Sequence, residues 1–90
     1  MNDINYEKLE NYKKLERLPP SAKLVFKSLE ANGQMTQKEI IRETILPSRT
    51  VRYAINRLKE EEILRELFYF IDSRQRLYEI KRSTNKLPTE

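Results

Sequence analysis

Ninety residues with a formal charge of +4 amount to one domain, biased towards a polyanionic partner. There is no cysteine, hence no disulfide framework, thiolate nucleophile or thiolate metal site, and no histidine, the commonest general base and metal ligand. No apolar run approaches the ~20 residues of a membrane span and the opening MNDINYEKLENY has no signal-peptide core, so no membrane association and a cytoplasmic location are expected.

Residues 3–17 read as a first helix, with Asp3 as its cap. Tyr6, Leu9, Tyr12 and Leu15 make a loose stripe, and Ile4 and Leu18 continue it around the helix. The stripe is too interrupted for a long coiled coil, yet more apolar than a free helix would carry. It suits either docking on its own domain or a homodimer contact through Leu9, Tyr12 and Leu15. Pro19 and Pro20 stop this helix and start the next, because proline suits a first helical turn and disfavours helix in the residue before it. In the second helix, residues 20–32, Ala22, Val25, Phe26 and Leu29 face inward, with Leu24 at the edge. Asn32-Gly33 is the stop, at the only glycine in the chain.

Met35 begins a very short strand. Thr36-Gln37-Lys38-Glu39 is a capping box, with threonine and glutamate spaced to close each other's free N–H groups. A short helix to about Thr44 buries Ile40 and Ile41, and Ile45-Leu46-Pro47 is a turn. Ser48 is then placed to cap a longer helix. Its apolar stripe is Val51, Ala54, Ile55 and Leu58. Its other face carries Arg49, Tyr53 and Asn56, flanked by Arg52 and Arg57. Residues 48–59 hold four bases and no acid; Glu60, Glu61 and Glu62 follow only at the end. A short capped helix, a tight turn and a longer basic helix form the helix-turn-helix order, and such an outer face suits the DNA major groove.

Beyond residue 63 the period changes. LRELFYFI at 64–71 reads as a strand that is partly apolar on both sides, with Leu67, Tyr69 and Ile71 on one and Leu64, Phe68 and Phe70 on the other. Asp72-Ser73-Arg74 is turn-forming, and QRLYEI at 75–80 is the second strand of a hairpin. One face is expected on the helices, the other under the N-terminal helix or a second subunit. Residues 81–90 are polar, without apolar period, and read as a flexible tail.

Helix, strand, helix-turn-helix and β-hairpin, in that order, resemble the winged helix-turn-helix domain. This is an α+β fold, mainly α, here with an extra N-terminal helix (1–17) and a C-terminal β-hairpin wing. The resemblance covers residues 18–80, and is particularly to MarR-like transcription regulators of the small archaeal type. It is carried by PSAKLVFKSL at 20–29, by Met35-Thr36-Gln37-Lys38-Glu39-Ile40, and by LPSRTVR at 46–52 with Ile55, Leu58 and Lys59. At the wing, DSRQR at 72–76 resembles the family's acid-x-arginine tip. The resemblance implies that Asp72 steadies the tip and Arg74 reaches the minor groove, with Arg76 as second candidate. Two departures stand out. The family usually has glycine where this chain has Glu62, so a left-handed cap there would strain the backbone by about 1 kcal/mol, unless the helix ends differently. Larger MarR proteins also dimerise through long helices at both ends, and a short polar tail leaves the N-terminal helix, the hairpin, or both.

Arg49 is expected to pair with guanine, Asn56 with adenine or a phosphate, and Thr50 with a thymine methyl; Arg52 and Arg57 are expected on phosphates, beside Ser48 and Tyr53. Nothing in the chain asks for catalysis, a metal, a cofactor or a small-molecule ligand. Two functions fit: a sequence-specific regulator that binds double-stranded DNA as a homodimer, or a winged-helix protein-interaction module in a transcription or replication assembly.

Overall fold

Helix boundaries fall where the local chemistry changes. The structure, a computed structural model, describes the backbone of residues 6–81 and the side chains of residues 11–81. Its elements run α1 (Tyr6–Leu15), α2 (Pro20–Asn32), β1 (Met35–Thr36), α3 (Gln37–Thr44), α4 (Ser48–Glu60), β2 (Leu64–Phe68) and β3 (Arg76–Ile80). The expected Asp3 cap, Ile4, the side chains of Tyr6 and Leu9, and residues 82–90 of the tail lie outside the described residues.

Pro19 is the extended N-cap of α2, and Pro20 takes the first helical position, where an N–H would have had no helical partner. The helix ends at Gly33, whose φ of 80° and ψ of −134° suit only glycine. The capping box of α3 is complete: Thr36 Oγ1 accepts the Glu39 N–H at 3.2 Å, and Glu39 Oε1 accepts the Thr36 N–H at 2.8 Å. α4 departs from expectation at its start. Pro47, extended at ψ 150°, is the N-cap, and Ser48 is already helical, its hydroxyl closing no backbone N–H. Proline holds the cap conformation but has no side-chain acceptor, so α4 begins without a side-chain cap.

The other end of α4 is a Schellman motif. Ile63 N–H donates to Leu58 O at 3.0 Å and Glu62 N–H to Lys59 O at 3.0 Å, with Glu62 in the left-handed region at φ 60°. Glutamate thus occupies a glycine position. Fully buried Ile63 and Leu58 provide the apolar contact that accompanies such caps.

The core joins Ala22, Val25, Phe26 and Leu29 of α2, Ile40 of α3, and Val51, Ala54, Ile55 and Leu58 of α4 with Met35, Ile63 and Leu64. Each large side chain so buried stabilises the fold by about 1.5–3 kcal/mol, which anchors α4 by one face and commits the other to solvent. α1 docks on its own domain. Leu15 and Leu18 are buried, the Tyr12 ring meets Phe26 edge-on at 5.9 Å, and Lys14 Nζ donates to Glu61 O at 2.9 Å.

The sheet has the order β1-β3-β2, all antiparallel, so the last strand is the central one. Met35 opposite Tyr78 and Leu64 opposite Ile80 turn one face to the core. Both hairpin strands are shorter than expected. β2 ends at Phe68 rather than residue 71, and β3 begins at Arg76 rather than 75. Pairing stops at Phe68 and Arg76 because Asp72 takes over the backbone: its carbonyl accepts the Gln75 N–H at 2.9 Å and its carboxylate the Arg74 N–H at 3.0 Å. Tyr69, Phe70 and Ile71 therefore belong to a loop. The anticipated double-sided apolar strand is not formed.

Candidate nucleic-acid interface

The buried stripe of α4 decides what its opposite face shows. Arg49, Arg52, Tyr53 and Asn56 are exposed; Thr50 and Arg57 are half-buried. Arg49, Tyr53 and Asn56 lie within about 60° of one another, since each residue advances about 100° around the helix. Arg49, Arg52 and Asn56 make no side-chain hydrogen bond or ion pair with a described residue. Ser48 is exposed beside them at the uncapped helix start.

The C-terminal half of α4 is different. Arg57 Nη1 donates to the Tyr53 hydroxyl at 3.2 Å, and its Nε faces Glu60 Oε1 at 3.4 Å. The Tyr53 hydroxyl and, less, Glu60 and Glu61 reinforce the charged guanidinium. Lys59 Nζ donates to Glu66 Oε1 at 2.8 Å, and the same carboxylate meets Arg76 Nε at 3.3 Å. Glu66 thus bridges α4 and the β2–β3 hairpin, and holds the Lys59 ammonium above its usual range. Nothing local in the sequence marks Glu66; it meets both cations only once β2 pairs with β3 and packs on α4.

At the wing tip, Asp72 accepts the Arg74 N–H, Arg74 Nε at 3.1 Å, Arg74 Nη2 at 3.3 Å and Gln75 Nε2 at 3.2 Å. The Arg74 side chain first, then its backbone N–H and Gln75, hold the Asp72 carboxyl well below the usual carboxylate range. The Arg74 side chain remains 89% exposed in this pairing. Arg76 is exposed but tied to the wing, with Nη1 donating to Ser73 O at 3.0 Å and Gln75 O at 3.1 Å.

Elsewhere an open polar groove of about 270 Å³ runs past Gln34, Glu39, Arg42 and Glu43. No cluster of three or more Asp and Glu among the described residues is placed to hold a metal ion, and no helix there is long and apolar enough to cross a membrane.

A family model described as winged helix-turn-helix DNA-binding matches residues 22–65, from α2 to the start of β2. No curated protein matches the chain in sequence. Among solved structures, a probable transcriptional regulator from Pseudomonas aeruginosa is similar with a TM-score of 0.70 and 20% identity, covering 84% of this chain and 58% of its own. The YusO protein from Bacillus subtilis has a TM-score of 0.68 and 21% identity over 84% of this chain and 53% of its own. A cysteine-to-serine mutant of MarR from E. coli has a TM-score of 0.67 and 17% identity over 83% of this chain and 56% of its own. The chain thus spans little more than half the length of these relatives. With α3 and α4 as its helix-turn-helix and the β2–β3 hairpin as its wing, the protein is a winged helix-turn-helix domain, similar in fold to the MarR regulators.

Proposed function

We propose that this protein is a sequence-specific regulator of transcription that binds double-stranded DNA, with α4 in the major groove and the wing at the minor groove or backbone. The observation that carries the reading is the outward face of α4. Arg49, Arg52 and Asn56 are exposed, unpaired among the described residues, and free of any acid within residues 48–59. Arg49 in the first turn is the guanine reader, paired bidentately with O6 and N7, and Asn56 the adenine reader. Thr50 touches a thymine methyl. Ser48 and Arg52 hold phosphates, and the open N–H groups at the start of α4 suit the same anions. Arg57, aimed by Tyr53, is a further phosphate ligand, and Arg74 enters the minor groove.

The reading includes a cytoplasmic homodimer. Leu15 and Tyr12 are packed on their own domain, so a contact through Leu9, Tyr12 and Leu15 would use only the surface they leave uncovered. Selection from a random duplex pool tests the whole: a two-fold-related motif is expected. Failure to enrich any sequence at low salt would sink the reading in favour of the protein-interaction module. Light scattering of the full chain tests the dimer, and a monomer at working concentration removes it.

A further inference from the structure

The wing carries apolar surface that no described residue covers. Phe70 and Ile71 are 90% and 82% exposed, and Phe68 at the end of β2 is 54% exposed. They sit on a braced tip. Asp72 closes the loop through Arg74 and Gln75, and Phe70 stands edge-on to Phe68 with ring centroids 5.2 Å apart. Below the tip, Glu66 ties the hairpin to Lys59 of α4, so the tip is set relative to the helix.

Size and charge select the occupant. Three such side chains offer roughly 400 Å², about half the ~800 Å² that each partner of a stable protein complex buries. Arg74, 89% exposed while paired with Asp72, and Arg76, paired with Glu66, flank them as cations that can exchange these carboxylates for phosphates. A small erect apolar tip between arginines fits a partner that is anionic outside and stacked inside. Duplex DNA entered from the minor groove meets both conditions, because an apolar side chain there can separate adjacent base pairs between flanking phosphates.

We propose that the Phe70–Ile71 tip is a wedge that enters the minor groove of bound DNA, unstacks one base step and kinks the duplex. The proposal rests on the DNA-binding reading above and deepens it. The wedge makes the protein prefer sites with easily unstacked pyrimidine–purine steps at a position that no hydrogen bond reads.

The test uses the full chain and two duplexes of about 30 base pairs, one with central TA steps and one a stiff A-tract. A fluorescent adenine analogue at the central step reports unstacking, and end-to-end energy transfer reports bending. The native protein should prefer the TA duplex by about fivefold or more, brighten the analogue and shorten the end-to-end distance. Phe70→Ala should keep the melting temperature and the salt slope, lose the preference, and leave the analogue dark. Ile71→Ala should lose some of each effect. If Phe70→Ala still brightens and bends the TA duplex like the native protein, the wedge is overturned while DNA binding stands. If Phe70→Ala instead lowers the mass in solution, the tip belongs to a contact between copies and the wedge is again overturned. If the native protein binds neither duplex at low salt, the DNA-binding reading itself has failed, and the wedge with it.

Discussion

The two halves of α4 carry two arginines and an arginine–lysine pair, and they use them differently. Arg49 and Arg52, in the N-terminal half, project into solvent with no partner among the described residues. Arg57 and Lys59, in the C-terminal half, are held: one by the Tyr53 hydroxyl and Glu60, the other by Glu66. The difference teaches that counting bases on a helix overstates the charge ready for a polyanion. A cation already paired must exchange partners before it meets a phosphate, and the exchange returns little. A cation in water gives up only its hydration and releases counterions from the DNA.

The largest expected effect falls on the open half. Arg49→Ala should cost about 1–3 kcal/mol on the preferred site and much less on random duplex, flattening discrimination at one base pair per half-site. Competition binding with single-base variants of the selected site measures this. An equal loss on all sequences would move Arg49 to the phosphates and erase the distinction between reading and holding. Arg52→Ala is its counterpart, weakening all duplexes alike and reducing the salt slope by about one unit.

Next comes release of the held half. Glu66→Gln removes the carboxylate shared by Lys59 and Arg76, so binding to random duplex should tighten several-fold and the salt slope steepen by about one to two units. Anisotropy titrations across a salt series check this. An unchanged slope would mean that the Glu66 pairs already open freely on DNA.

A smaller effect concerns the cap that ends α4. Glu62→Gly replaces a left-handed glutamate with the residue that conformation favours. The relief of about 1–2 kcal/mol of strain is partly offset by the greater freedom of glycine in the unfolded chain. A net gain of about 0.5–1 kcal/mol is expected in urea denaturation. A loss would show that the cap is held by something other than its backbone geometry.

The smallest effect is the alkaline limb of stability. Glu66 raises the pKa of Lys59, and burial, with a smaller contribution from Glu66, raises that of Tyr78. Groups whose folded pKa lies above the unfolded value stabilise the fold fully below the latter, about 10 to 10.4 for both, and lose that contribution as pH rises through the folded value. Melting temperature should therefore fall above about pH 10, and by less in Glu66→Gln. Because the Lys59–Glu66 pair is well exposed, screening keeps its share small. An alkaline limb identical in the two proteins would dissociate Glu66 from Lys59 in solution.

Much of this domain is written locally. Pro19-Pro20, Asn32-Gly33 and the Thr36–Glu39 box mark helix ends because caps and breakers act within a turn. The structure starts α2 at Pro20, ends it at Asn32 and starts α3 at Gln37, while α1 ends at Leu15, two residues before the expected 17. The stripe Val51, Ala54, Ile55 and Leu58 is legible for a related reason: helical periodicity turns a one-dimensional spacing into a face, and burying that face exposes Arg49, Tyr53 and Asn56. Glu62 departs from the family pattern in sequence, and its backbone is left-handed as a glycine there would be.

What local spacing did not determine lies where strands and distant side chains meet. The apolar run 64–71 reads as one strand, yet pairing ends at Phe68 because β3 supplies partners only from Arg76 onward. Likewise, the antiparallel register and the packing of β2 on α4 bring Glu66 between Lys59 and Arg76, and thereby hold Lys59. Composition and helical period determined the basic outer face of α4. Helical spacing also placed Tyr53 and Glu60 beside Arg57. Only the tertiary structure gave Lys59 its partner, because that salt bridge depends on distance in space and Glu66 lies on a separate element.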